Sequence, residues 1–248
     1  MSEHENQVPT PKSAMVIFAH PDDAEFVSAG TAAVWAEQGC EITYLAGTSG
    51  DKGASDPDIP TRKLIEMREQ EQRNAAEILG VKHVEFLRYE DATLVADLDL
   101  RLAITRMIRK HKPEAVICQD PSKRYESRDY IQHPDHIAMG EAALAAIYPS
   151  ARDHLTFPQL LEEGYEPHKV KYVFMIGAPE PDVWIDTTHV FDKKVAALKA
   201  HTSQVEGFDP TDLLRTWGRD TAAAARQKGF STSWEMELAE AYKLFVLD

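Results

Sequence analysis

"AHPDDAE", residues 19–25, closes the apolar run "AMVIFA" and sets one imidazole, one proline and three carboxylates into seven residues. Charge at that density is costly to hold beside an apolar strand unless something offsets it. The run before it reads as a strand over 14–20, which puts the charges at its carboxyl end. Next, "EFVSAGTAAVWAEQG" (25–39) reads as a helix stopped by Gly39. A strand that turns through charged residues into a helix is the first half of a β–α–β unit.

The unit repeats outward from there. Strands are expected at 41–49, 83–89 and 114–120, and helices at 61–80, 98–111 and 134–148. Thr61 is the expected N-cap of the second long helix and Gly80 its stop, while Pro134 suits a helix start. Further strands are expected in "KVKYVFMIG" and "DVWIDTT", helices around 190–202 and 210–228, and a last strand in "AEAYKLFVL". Alternation of this kind specifies an α/β fold, a mostly parallel sheet with helices on both faces. Such sheets take their ligands at the carboxyl ends of the strands, near the switch in strand order. The opening stretch stands at such an end.

Bulk properties narrow the classes. The chain has 248 residues, 43% hydrophobic and 27% charged, which fits one larger globular domain over 14–248. Residues 1–13 are polar and lack an apolar leader core, so they are expected to form a flexible tail on a cytoplasmic protein. No apolar run reaches the ~20 residues of a membrane span. A net charge of −14 argues against nucleic acid and anionic membranes as partners. Cys40 and Cys118 fall in expected strands and read as buried thiols without a catalytic role.

A second cluster, "QHPDH" at 132–136, follows the strand at 114–120. His133 and His136, three apart, share a face of a helical turn. One His-Pro-Asp alone could simply be a helix entry, proline first and the acid favouring the N-terminus. Two of them, each at a strand end, point to a shared cation. Imidazoles with one carboxylate suit Zn²⁺, whose catalytic sites take three protein ligands and leave a position for water. The same donors would accept Fe²⁺, Co²⁺, Ni²⁺ or Mn²⁺. Spacing alone does not say which histidine is a ligand. Other hydrolase signatures are missing: there is no G-x-S-x-G and no H-E-x-x-H.

"AHPDDAE" with "HPDH", supported by "GTSGDKG", "REQEQRNAAEILG" and "KKVAALKAHTSQ", resembles the LmbE-like (PIG-L) deacetylase family over most of the chain. The resemblance implies a Rossmann-like fold, one zinc, and hydrolysis of an N-acetyl group, commonly on a glucosamine derivative. It implies His20, Asp23 and His136 as metal ligands, Asp22 as general base, and His133 as the group that polarises the carbonyl or protonates the leaving amine. Asp135 would orient His133. Substrate contacts are expected from Asp51, from Arg68 of an "R-x-x-E" pattern with Glu71, and from Asp91, although Ala92 stands where the family usually has Gly. Arg124 and Tyr125, in the loop before the second cluster, would suit a sugar ring or an anionic substituent. His201 of "HTSQ" is expected to pack. The resemblance also implies a small sugar-type substrate as partner, and a homo-oligomer, trimer or hexamer, fits it. Another amide, such as a thiol-sugar conjugate or acylated natural product, would keep the mechanism; a metal-stabilised sugar-binding module would not.

Overall fold

The first strand, β1 (Ser13–Phe18), shows how the sheet is built. Its side chains alternate between two cores: Ala14, Val16 and Phe18 join one, and Met15 and Ile17 the other. A strand apolar on both faces must be covered on both. In this computed structural model, which describes residues 9–125, 128, 130–230 and 236–248, β1 lies inside a seven-stranded sheet. The others are β2 (Glu41–Thr48), β3 (His83–Tyr89), β4 (Ala115–Gln119), β5 (Tyr172–Ile176), β6 (Val183–Asp186) and β7 (Ala239–Val246). Their order is β3-β2-β1-β4-β5-β7-β6, with β1 to β5 parallel and β7 antiparallel to both its neighbours. The order therefore reverses between β1 and β4, and both His-Pro-Asp clusters hang from that switch point.

Helices α1 (Asp23–Val27), α2 (Ala29–Glu37) and α3 (Thr61–Leu79) pack against one face together with α7 (Phe191–Lys199). On the other lie α4 (Leu98–His111) and α5 (Pro134–Ile147). In α4, Leu100, Ile104 and Ile108 recur every four residues and form its buried stripe. A short α6 (Gln159–Glu162) follows α5, and the amphipathic α8 (Thr211–Gln227) precedes β7. The expected tail lies outside the described residues for 1–8; at its end the Lys12 amide donates to Glu114 and Ser13 already belongs to β1. Among the described residues, no helix is long and apolar enough to cross a membrane.

Two boundaries differ from expectation. Thr61 is the first helical residue of α3, and Pro60 holds the cap position. More consequentially, the helix expected over 25–39 breaks at Ser28 (φ −141°). The break creates a second helix N-terminus, and the buried carboxylate of Glu240 occupies it, accepting from the amides of Gly30 (2.9 Å) and Thr31 (2.7 Å).

Candidate active site

The chain leaves β1 at Ala19 and makes a tight turn: the amide of His20 donates to Asp23 Oδ2 (2.8 Å), and that of Asp23 to the His20 carbonyl (3.2 Å). Asp22 sits inside this turn at φ 95°, a conformation that costs a non-glycine residue about 1–3 kcal/mol. In regular backbone, adjacent side chains diverge, yet Asp22 and Asp23 both line one cavity. The second cluster arrives on α5. His133 is its N-cap, and one turn brings His136 over β1.

Asp23 is the hub. Its Oδ1 stands 3.1 Å from His136 Nε2, and its Oδ2 lies 3.4 Å from His20 Nδ1. The far nitrogen of each imidazole has an acceptor: His136 Nδ1 meets Gln132 Oε1 (3.0 Å), and His20 Nε2 meets both Asp91 Oδ1 and Asp135 Oδ2 (3.1 Å each). A metal-binding histidine typically has this arrangement, inner nitrogen free for the ion and outer N–H on a carboxylate or amide oxygen. Donor atoms of His20, Asp23 and His136 lie within 4.8 Å of one another and could hold a metal ion. His20, His133 and Asp135 satisfy the same criterion, but the Asp135 oxygens already accept from the amides of Ala92 (2.8 Å) and Leu94 (3.2 Å). In the first trio, His20 Nδ1 and His136 Nε2 both face the carboxylate of Asp23, so the side-chain contacts an ion would replace lie within the trio itself.

Electrostatics follow from this crowding. Burial opposes charge on His20, but the carboxylates of Asp23 and Asp91 outweigh it and hold the imidazolium up to about 11. His136 is likewise raised by Asp23 against its burial. Burial disfavours the Asp23 anion, yet His136 and His20 keep it well below the carboxylate range. Asp22 goes the other way: burial first, then the charges of Asp23 and Glu25, raise it well above that range. Burial and the charge on His20 lower His133. His133 Nδ1 accepts from the Asp135 amide (3.2 Å), and this hydrogen bond assigns the proton of the neutral ring to Nε2.

The residues expected to touch substrate are placed variously. Asp51 Oδ1 accepts from the Asp91 amide (2.8 Å), and Asp91 faces His20. Arg68 is buried, its Nη1 donating to the carbonyls of Gly50 and Lys52 (2.6 Å each). Gly50, at φ 63°, has no room for a side chain: a Cβ would stand 2.9 Å from the Arg68 guanidinium. Glu71, the partner of Arg68 in the sequence pattern, instead holds Thr202 and Ser203. Arg124 and Tyr125 are exposed; Tyr125 pairs as a bridge with Ile131, and the loop positions Glu126, Ser127 and Asp129 lie outside the described residues. Asp135 differs from the expected role: its carboxylate serves His20 and two amides, and it reaches His133 through its own backbone N–H. Ala92 adopts φ 63°, so the turn keeps its left-handed residue without a glycine.

Sequence reasoning missed the amides. Gln132 orients His136, and Gln72 accepts from the Asp22 backbone (3.2 Å) while donating to Glu25. His201 is fully buried and pairs with Glu25 (3.1 Å), a contact beyond simple packing. "QHPDH" and "REQEQRNAAEILG" contained both of these glutamines, but a search for ionisable clusters passes over neutral ones.

Beside Asp22, Asp23 and His136 opens a cavity of about 760 Å³ that runs between α1 and α8. Its walls are largely apolar, with Phe26 and the half-exposed Trp217 among them, their ring centroids 6.3 Å apart.

Comparison with known proteins adds the last observation. The family model for GlcNAc-PI de-N-acetylase (PIG-L) matches residues 15–147. A diacetylchitobiose deacetylase of Thermococcus kodakarensis is 30% identical over 206 residues, 83% of this chain and 73% of that one. The crystal structure of N,N′-diacetylchitobiose deacetylase from Pyrococcus horikoshii superposes with a TM-score of 0.83 at 26% identity, over 98% of this chain and 88% of that chain. A 4-oxalmesaconate hydratase of Pseudomonas putida is 31% identical over 209 residues, 78% of this chain and 74% of its own. The matched region carries both His-Pro-Asp clusters and the switch point between them, and the chain belongs to the PIG-L family.

Proposed function

We propose that the chain is a cytoplasmic, metal-dependent N-deacetylase acting on an N-acetylglucosamine-type substrate. The observation that carries this reading is the pairing of opposites around one hub. Donor atoms of His20, Asp23 and His136 converge on one another, while beside them Asp22 keeps a carboxylate with no hydrogen-bond partner among the described residues. A pure binding module would not need that fourth group. The free, buried thiols of Cys40 and Cys118 support a reducing compartment.

Zinc is the proposed ion, and when bound it supplies Lewis acidity to an amide oxygen and to a water. Burial and the charges of Asp23 and Glu25 raise the Asp22 pKa well above the usual carboxylate range, which makes this carboxylate the stronger base toward a water molecule. His133, its pKa lowered by burial and by the charge on His20, would donate a hydrogen bond from Nε2–H to the amide oxygen, and the proton that Asp22 takes from water would pass to the departing nitrogen. Asp91 and Asp135 hold His20 in one tautomer, and Gln132 does so for His136. The largely apolar cavity would offer Phe26 and Trp217 to the flat face of a sugar ring.

The hydratase relative supports a second reading, addition of water to an unsaturated carboxylate such as 4-oxalmesaconate by the same base. One experiment separates them. Zinc-loaded protein is assayed for acetate release from N-acetylglucosamine, N,N′-diacetylchitobiose, and malate- and inositol-linked N-acetylglucosamine, with Asp22→Asn alongside. Release by the wild type and a deep loss in the variant is the expected result. Silence on every acetamide together with hydration of 4-oxalmesaconate would replace the deacetylase with the hydratase.

A further inference from the structure

We propose that Gln72 and Gln204 are positioning residues that clamp the peptide unit between Pro21 and Asp22, and so aim the Asp22 carboxylate; the proposal rests on Asp22 being the base. That peptide presents one acceptor, the Pro21 carbonyl, and one donor, the Asp22 N–H. Gln204 Nε2 donates to the carbonyl (2.8 Å), and Gln72 Oε1 accepts from the N–H (3.2 Å). The two glutamines come from opposite directions, one from α3 and the other from the loop after α7. The next peptide is fixed as well, because the Asp22 carbonyl accepts from the amides of Glu25 (2.9 Å) and Phe26 (3.2 Å) and begins α1. With both planes flanking its Cα held, Asp22 has no freedom left to relax from φ 95°.

The clamp is itself braced. Gln72 Nε2 donates to both oxygens of Glu25 (3.0 and 3.2 Å), so a flipped amide would set oxygen against carboxylate and N–H against N–H. Its Oε1 therefore has to face Asp22. Glu25 is held in turn by His201, and Glu25, Gln72 and His201 are all fully buried. Gln204 is braced from the other side. Glu71 accepts from Thr202 Oγ1 (2.7 Å), from the Ser203 amide (2.8 Å) and from Ser203 Oγ (2.7 Å), which ties the residues just before it to α3. Neither glutamine side chain has a hydrogen bond to His20, Asp23 or His136 among those described. The Asp22 carboxylate has no hydrogen bond of its own there either, so its direction is set by the backbone alone.

The test measures kcat and KM on N,N′-diacetylchitobiose, or on whichever panel compound releases acetate faster, in wild type and in Asp22→Asn. Zinc affinity by chelator competition is measured on every variant as the readout that does not depend on turnover. Gln204 is only half-buried, so Gln204→Met and Gln204→Glu should fold; Gln72→Met is the companion from the other side of the peptide. Gln204→Met should lower kcat about tenfold and Gln204→Glu, which turns an acceptor toward the Pro21 carbonyl, up to about a hundredfold. KM and zinc affinity should stay within about twofold, and in the Asp22→Asn background the same changes should cost nothing further. Losses that multiply with Asp22→Asn would overturn the proposal, as would zinc affinity falling in step with kcat, since the glutamines would then hold the whole metal loop. An inactive Asp22→Asn beside unaltered Gln204 variants sinks the clamp alone. A fully active Asp22→Asn sinks the base assignment, and the clamp with it.

Discussion

Two carboxylate sites look into the same cavity, and they are opposites. Glu240, on β7, is fully matched: beyond the amides of Gly30 and Thr31 it accepts from Thr31 Oγ1 (2.6 Å), Tyr242 OH (3.1 Å) and Lys194 Nζ (2.6 Å). Asp22 faces its neighbours' negative charges and has no donor for its own oxygens among the described residues. The matched carboxylate joins β7 to the N-terminus of α2 and is architecture. The unmatched one keeps lone pairs for something the fold does not contain. Burial alone does not separate the two roles; the donor count does.

Exchanging charge for amide at each place breaks the comparison most sharply. Glu240→Gln leaves Lys194 buried without its counter-ion and should cost about 3–5 kcal/mol, lowering the melting temperature by roughly 10 °C. Asp22→Asn should leave the melting temperature unchanged or raise it, because it removes a carboxylate whose burial and neighbouring Asp23 and Glu25 outweigh the charges of His20 and Arg68. Its cost should fall on turnover, a loss of about 10²- to 10⁴-fold in kcat with zinc content retained. Thermal denaturation and acetate release on both variants check this. Equal losses of stability would erase the distinction between architecture and chemistry.

The pH dependence sharpens the same contrast. His20 stays protonated up to about 11 in the fold, against 6.5 for an ordinary histidine. Its stabilising contribution is whole below pH 6.5 and is lost as pH rises toward 11, because the unfolded chain releases its proton first. Asp22 acts in the same direction: its raised pKa makes stability fall as pH climbs above 3.8. Asp23, lowered in the fold, loses its contribution only in acid, below 3.8. Metal-free protein should therefore melt progressively lower from pH 6.5 to 9. Saturating zinc should flatten that decline, since the ion requires the deprotonated imidazole. His20→Ala should make it shallower without zinc, leaving the part due to His136 and Asp22; a metal-free profile that is already level contradicts the network.

A smaller effect belongs to the cavity wall. Trp217→Ala removes the exposed half of the aromatic pair with Phe26, and should raise KM about three- to tenfold with kcat kept. An unchanged KM across the acetamide panel would move the sugar away from α8.

Much of this was legible along the chain, for identifiable reasons. The strand–helix alternation showed in β-branched runs and glycine stops, and Gly80 does end α3 at φ 82°. "HPDD" and "HPDH" stood out because ionisable residues are rare at the ends of apolar strands. What stayed hidden depends on partners distant in sequence. The break at Ser28 answers to Glu240, more than two hundred positions away. Arg68 read as a substrate arm because a sequence does not show that the carbonyls of Gly50 and Lys52 curl back onto it. Gln72 and Gln204 were silent since an amide carries neither charge nor hydrophobic period, and only the fold brings both to one peptide bond.

Ala92 carries the finest version of the comparison. Asp22 and Ala92 both stand at positive φ beside His20, at 95° and 63°. Asp22 holds a side chain that chemistry needs; Ala92 holds only a methyl, while its amide donates to Asp135. Ala92→Gly removes the strain of a left-handed alanine but adds freedom to the unfolded chain, so the two terms nearly cancel and leave a gain of about 0.5 kcal/mol, or 1–2 °C. Turnover should be unaltered, because the amide that orients Asp135 is retained. Asp22→Gly relieves the same kind of strain and should also gain stability, yet lose as much kcat as Asp22→Asn. If Ala92→Gly instead lowered kcat, the methyl would be shaping the pocket, and the turn at 91–94 would belong with the substrate rather than with the scaffold of His20.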